Sequence, residues 1–244
     1  MTMRALVLAA PGRPLELREG SSPEPAPGQV LVEVIACAIC RTDLHILDGE
    51  LDRPTLPLIP GHQVVGTIGA VGDRVTDRRV GDLVGVPWLG WADGTCRYCT
   101  SGRENLCPDA RFTGYDLDGG YAERLVVDAR FCLPVPRGFE PVAATPLLCA
   151  GAIGYRALRL AGDGGLIGLY GFGNAARLVT QIALHEGRRV FAFTRPGDTE
   201  TQRLAVERGC AWAGDSTESP PEPLDAAILF AAVGELVPLA LAAV

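Results

Sequence analysis

From residue 166 onward, short runs that are apolar at every position alternate with stretches of helical character, and few folds accept that pattern. Leu166-Ile-Gly-Leu-Tyr170 comes first, then a helical stretch over 174–186, then Arg189-Val-Phe-Ala-Phe-Thr194. A second helical stretch covers 199–208, with further strands expected at 211–213 and 225–231. Strands without a polar face have no side to turn to water, so they predict a parallel sheet covered by helices on both sides. Taken in order, they fit part of a doubly wound sheet arranged 3-2-1-4. The Ala- and Leu-rich stretch 142–160 reads as helix, and 216–223 as a Pro-rich loop.

The first 140 or so residues are of another kind. Gln29-Val-Leu-Val-Glu-Val-Ile-Ala alternates with period two, as a half-buried strand does. Val64-Val-Gly-Thr-Ile-Gly-Ala-Val-Gly, Arg79-Val-Gly-Asp-Leu-Val-Gly-Val and Tyr121-Ala-Glu-Arg-Leu-Val-Val continue it, with glycines at bulges and turns. The expected fold class is therefore α/β. An irregular β barrel over 1–145 precedes a partial Rossmann sheet over 146–244.

The net charge of −7, with no basic run, argues against nucleic-acid binding. The apolar stretch 224–244 holds Asp225, Glu235 and Pro238, which suits a strand and helix better than a membrane span. The N-terminal apolar run stops at Pro11-Gly12 and reads as a strand and turn, not a signal peptide. Eight cysteines point to metal or thiol chemistry in a reducing, cytoplasmic compartment.

Asp93, Cys96, Cys99 and Cys107 crowd one Gly-rich lobe. Short spacers let a single loop offer several thiolates to one ion, and zinc is the expected occupant. A carboxylate at the first position still provides an oxygen ligand. Gly171-x-Gly173-x-x-Ala176 lies between a strand and a helix. There the first Gly permits the turn, the second admits a pyrophosphate, and the small third residue lets helix pack on strand. NAD enzymes usually carry an acid about 20 residues beyond the glycines. Here Thr194 and Arg195 hold that place, so no carboxylate repels a 2′-phosphate and a guanidinium can bind one. NADP(H) is therefore preferred over NAD(H).

Cys40 opens Cys40-Arg-Thr-Asp-Leu-His45, His62 lies in Gly61-His-Gln-Val-Val-Gly66, and Cys149 lies in Leu147-Leu-Cys-Ala-Gly151. Singly, each reads as a structural residue. Cys37, Cys132 and Cys210 read as small core hydrophobes, and His185 as solvated. Trp88 and Trp91 are candidate pocket aromatics, with core or interface packing an equal alternative.

Together these segments resemble the zinc-containing medium-chain dehydrogenases, the alcohol dehydrogenases. The resemblance runs from a GroES-like N-terminal half through both zinc motifs to the nucleotide fold. It implies that Cys40, His62 and Cys149 hold a catalytic zinc with one open position, and that Asp93, Cys96, Cys99 and Cys107 hold a structural one. It implies that Thr42 takes the alcohol proton, that His45 passes it outward, and that Asp43 orients His62. Arg41, Gly171, Gly173, Asn174, Ala176, Thr194 and Arg195 are the implied coenzyme contacts. Gln63 departs from the family pattern, in which an acid follows the ligand histidine. The implied reaction moves a hydride between a primary or secondary alcohol, or the matching carbonyl, and NAD(P). Two other readings stay within the superfamily: a zinc-free quinone or enone reductase, and a truncated relative that binds zinc and nucleotide without turnover. Family members run on past this point, which predicts a fragment with an exposed apolar edge strand and a homo-oligomer at full length.

Overall fold

The computed structural model describes residues 1–52 and 54–244. It comprises two units, Met1–Cys149 and Ala150–Val244. The division falls after Cys149, slightly beyond the boundary expected from sequence.

In the first unit, Thr2–Val7 (β1) and Glu16–Ser21 (β2) pair as an antiparallel hairpin. Gln29–Cys37 (β3) leads into the helix Arg41–Asp48 (α1), followed by Val64–Val71 (β4) and Leu83–Val86 (β5). Leu89–Trp91 (β6) pairs with Arg111–Phe112 (β7). Arg124–Asp128 (β8) and Leu133–Pro134 (β9) complete an antiparallel sheet in the order β8-β3-β4-β5-β9. The alternating residues meet as expected: Val30 and Val32 pack with Val64, Ile68, Val84, Val86, Leu125 and Val127 in one core. The register of β3 against β4 slips at Leu31/Val32 and again at Val34/Ala36, bulges that bend the strand. The strand expected from Arg79 begins only at Leu83. Residues 79–82 turn instead, with Asp82 Oδ2 accepting the Arg79 N–H at 2.8 Å.

The helix expected over 142–160 is broken. Pro141–Ala144 (α2) passes into a 3₁₀ turn at Thr145–Leu148, and the unit ends at Cys149, whose φ of −130° and ψ of −77° are not helical. Pro146 cannot donate to the turn before it. The Thr145 hydroxyl donates to Val142 O at 2.8 Å, tightening the chain there.

The second unit starts with Ala150–Leu160 (α3). Leu166–Tyr170 (β10), Asn174–His185 (α4), Arg189–Thr194 (β11), Thr199–Glu207 (α5), Trp212–Asp215 (β12), Ala226–Leu229 (β13) and Leu236–Ala242 (α6) follow. The strands are parallel in the order β12-β11-β10-β13, the 3-2-1-4 arrangement read from the sequence. Both faces are covered. Ile167 and Leu169 of β10 pack with Leu158, Ala176, Val179, Ala183 and Ala205. Leu166 and Tyr170, on the other face, pack with Phe191, Phe193, Leu224, Leu236 and Ala240. The Tyr170 and Phe193 rings stack 4.0 Å apart. Each buried Leu, Ile, Val or Phe among them contributes about 1.5–3 kcal/mol relative to exposure. Among the described residues no helix is long and apolar enough to cross a membrane.

Candidate metal and coenzyme sites

Three segments distant in sequence bring Cys40, His62 and Cys149 together, with ligand atoms all within 4.8 Å of one another. Cys40 stands at the N-cap of α1. Asp43, in the first turn, uses both carboxylate oxygens. Oδ2 accepts the Cys40 N–H at 2.7 Å, and Oδ1 lies 3.0 Å from His62 Nδ1. Asp43 is 1% exposed and His62 likewise, so this pair is a fixed internal strut. It leaves His62 Nε2 as the nitrogen free to ligate. The Cys40 and Cys149 sulfurs are 3.9 Å apart. Two thiolates on one tetrahedral zinc, each at ~2.3 Å, stand ~3.8 Å apart, so the spacing fits a shared ion.

The electrostatics suit a cation. The Cys40 thiol is held down to about 3, first by its contact with Cys149 and then by His62. Cys149 is pushed up because the pair keeps one proton between its two sulfurs. Burial opposes charge on His62, yet its bonds to Asp43 and Cys40 outweigh burial and raise it to about 9. The remaining core thiols behave differently: burial pushes Cys37 up to about 12, and Cys132 and Cys210 up to about 11.

Asp93, Cys96, Cys99 and Cys107 form the second such group among the described residues. Asp93 Oδ1 accepts the N–H groups of Thr95 and Cys96 at 2.6 and 2.8 Å, and Oδ2 lies 3.3 Å from Cys107 Sγ. Those N–H donors, Cys96 foremost, hold the Asp93 carboxyl well below the usual range. One oxygen therefore builds the loop while the other faces the sulfurs. Three sulfurs and an oxygen offer four donors and no vacant position, the donor count of a structural zinc.

In the second unit, Gly171 has φ +92°, and a Cβ there would stand 2.9 Å from Ala231 N. Only glycine serves at that turn. Gly173 is the N-cap of the twelve-residue α4, and a Cβ added there would meet nothing within 4 Å. This leaves open backbone where a pyrophosphate could approach the helix N-terminus. Asn174 is exposed beside it, while Ala176 is fully buried against the sheet, where a larger residue would overpack the contact. Arg195 is exposed at the end of β11. Thr194 is 3% exposed, and its hydroxyl accepts the Gln202 amide N–H at 3.1 Å, inside the unit.

The alcohol dehydrogenase GroES-like domain family matches residues 26–137. The chain is 46% identical over 249 aligned residues to "Probable alcohol dehydrogenase AdhA" of Mycobacterium tuberculosis, covering 97% of this chain and 71% of that one. It belongs to the zinc-containing medium-chain alcohol dehydrogenase family. An alcohol dehydrogenase of Geobacillus stearothermophilus is 38% identical, over 90% of this chain and 65% of its own length. A zinc-binding dehydrogenase of Sinorhizobium meliloti, solved with NADP, superposes with a TM-score of 0.87 at 30% identity, over 97% of this chain and 72% of that one. A thermostable alcohol dehydrogenase of Pyrobaculum aerophilum, solved with cobalt and zinc, gives 0.85 at 25% identity, over 94% and 70%.

Within this dehydrogenase, Thr42 and His45 lie three residues apart on α1, side by side on one helix face. Thr42 Oγ1 is 3.8 Å from Cys40 Sγ. His45 Nδ1 pairs with the Glu50 carboxylate, a partner the sequence reading missed because Glu50 lies just past the helix end at Gly49. Arg41, at the first position of α1, is exposed. Gln63 is buried and its amide donates to Ala38 O at 3.4 Å. Trp88 meets the His62 ring edge-on at 4.9 Å and stacks on Phe112. Trp91 lies beneath the Arg111 guanidinium.

Proposed function

We propose that this chain belongs to a zinc-dependent alcohol dehydrogenase that moves hydride between a primary or secondary alcohol and NADP(H). The reading includes one zinc at Cys40, His62 and Cys149 and a second at the Asp93 lobe. What carries it is the 3.9 Å approach of Cys40 and Cys149 sulfurs beside a buried, carboxylate-held histidine. Zinc in the three-ligand site would supply Lewis-acid polarisation of a substrate oxygen, and the nicotinamide would accept or donate the hydride.

The protein's own groups do the rest. Asp43 fixes the ring of His62 and the start of α1 together, so two ligands share one anchor. Thr42, next to Cys40, is the hydroxyl that receives the proton of a bound alcohol. His45, one helical step further on, carries that proton toward solvent, with Glu50 steadying its imidazole. Replacing Asp43 by alanine is expected to weaken metal binding at this site about 10- to 100-fold, read by chelator competition with the lobe site as internal reference.

The coenzyme preference rests on Arg195 and on the absence of an acid at Thr194. Arg195→Ala should raise the KM for NADPH about 10- to 100-fold, the equivalent of a charge-assisted hydrogen bond, and leave that for NADH within twofold. Equal effects on both coenzymes would remove the assignment. Metal analysis with NADPH oxidation over a panel of aldehydes tests the whole reading: two zincs per chain with turnover supports it, and zinc without turnover counts against it.

A further inference from the structure

Arg195 opens a tight turn. Asp198 N donates to Arg195 O at 3.1 Å, Pro196 presets the second position, and Gly197 has φ +77°. This is a type II turn, in which the middle peptide is flipped relative to type I and its N–H points away from the loop. Here that N–H, on Gly197, donates to Asp215 Oδ1 at 2.9 Å.

Asp215 ends β12 and stands opposite Thr194 in the parallel register. The same Oδ1 accepts the Gln202 amide at 2.7 Å, and that amide also reaches Thr194 Oγ1 at 3.1 Å. Gln202 is carried by α5, whose N-cap is Asp198, the last residue of the turn. The Asp198 carboxylate accepts the Thr201 N–H at 3.0 Å. One carboxylate oxygen thus ties a strand, a turn and a helix together at the point where Arg195 leaves the sheet. Without that acceptor the middle peptide is free to flip, and the turn that Arg195 opens loses its fixed backbone conformation.

We propose that Asp215, with Gln202, is a positioning residue that holds the Arg195 turn in the conformation that reads a coenzyme 2′-phosphate. The inference rests on the proposed role of Arg195. It gives Asp215 a task distinct from the ribose-binding acid of NAD enzymes: its Oδ1 is already occupied by two donors from its own unit.

The test uses the full chain and two coenzyme fragments, 2′,5′-ADP, which carries the 2′-phosphate, and 5′-AMP, which does not. Dissociation constants come from calorimetry for the parent protein, Arg195→Ala, Asp215→Ala, Asp215→Asn and Gln202→Ala. The expected result is a preference for 2′,5′-ADP that Arg195→Ala abolishes. Asp215→Ala should lower it about fivefold or more, the effect of losing one positioning hydrogen bond, with 5′-AMP binding unchanged. Asp215→Asn, whose amide oxygen still accepts both donors, should retain the preference. Gln202→Ala should reduce it in part, which keeps the question open to measurement if Asp215→Ala does not fold. An unchanged preference in Asp215→Ala or, failing that, in Gln202→Ala, beside its loss in Arg195→Ala, overturns the positioning role and spares Arg195. An Arg195→Ala protein with the parent preference overturns both. Equal weakening of both fragments in Asp215→Ala marks a purely structural residue, and a loss confined to 5′-AMP in Asp215→Asn marks a direct ribose contact; either sinks the inference.

Discussion

Cys40→Ser is expected to lose one zinc per chain and to reduce aldehydes with NADPH about 10³-fold more slowly than the parent. A serine hydroxyl stays protonated at neutral pH and replaces the thiolate poorly as a ligand. Without the ion the substrate oxygen loses several kcal/mol of charge stabilisation, and about 4 kcal/mol corresponds to that factor. The fold should persist, since Cys40 is only half-buried and Asp43 still accepts the residue 40 N–H. Metal content by mass spectrometry and single-turnover kinetics decide the matter. Full zinc with full turnover in the variant would end the three-ligand assignment.

The second large effect is expected at Asp93. Asp93→Ala removes the oxygen that faces the three sulfurs and also the acceptor for the Thr95 and Cys96 N–H groups. Losing the turn acceptor leaves the Thr95 and Cys96 N–H groups without their partner, in the manner of a lost helix cap. Losing the fourth ligand should cost the lobe the ion proposed for it, so the segment 93–107 should become open to proteolysis while the ion proposed for the Cys40 site is retained. Asp93→Asn separates the two jobs: the turn survives, but a neutral amide holds zinc less well than a carboxylate. Two ions per chain in Asp93→Ala, with the lobe intact, would show that the three cysteines suffice.

The second unit was the more legible from sequence, for a physical reason. A strand buried on both faces must be apolar along its buried length, and Leu166–Tyr170 and the Val190, Phe191, Ala192 and Phe193 run of the next strand stand out on that account alone. The break at Cys149 was not legible, because the Ala- and Leu-rich run around it carries an unbroken helical signal. Only the folded chain shows that a 3₁₀ turn places this thiol beside Cys40. The Asp93, Cys96, Cys99 and Cys107 lobe was visible as residue types and spacing, whereas Cys40, His62 and Cys149 were grouped only by the family resemblance. The Asp43–His62 contact was expected from the resemblance, but the second bond of Asp43 to the Cys40 N–H, the pairing of Glu50 with His45 and the task of Asp215 were not derivable by counting along the chain. Asp215 illustrates the limit: sequence distance points to Thr194 as the acid's usual place, while the acid present sits across the sheet from it.

The alternation of β10 between its two cores has a further consequence. Odd and even positions of this strand serve different helices, so a shift by a single residue exchanges every partner at once. Gly171 follows Tyr170 directly. The chain thus has one frame in which Tyr170 meets Phe193 while a residue without a side chain arrives at the tight turn beside Ala231. The placement of the turn proposed to meet the coenzyme is tied to the parity of this strand.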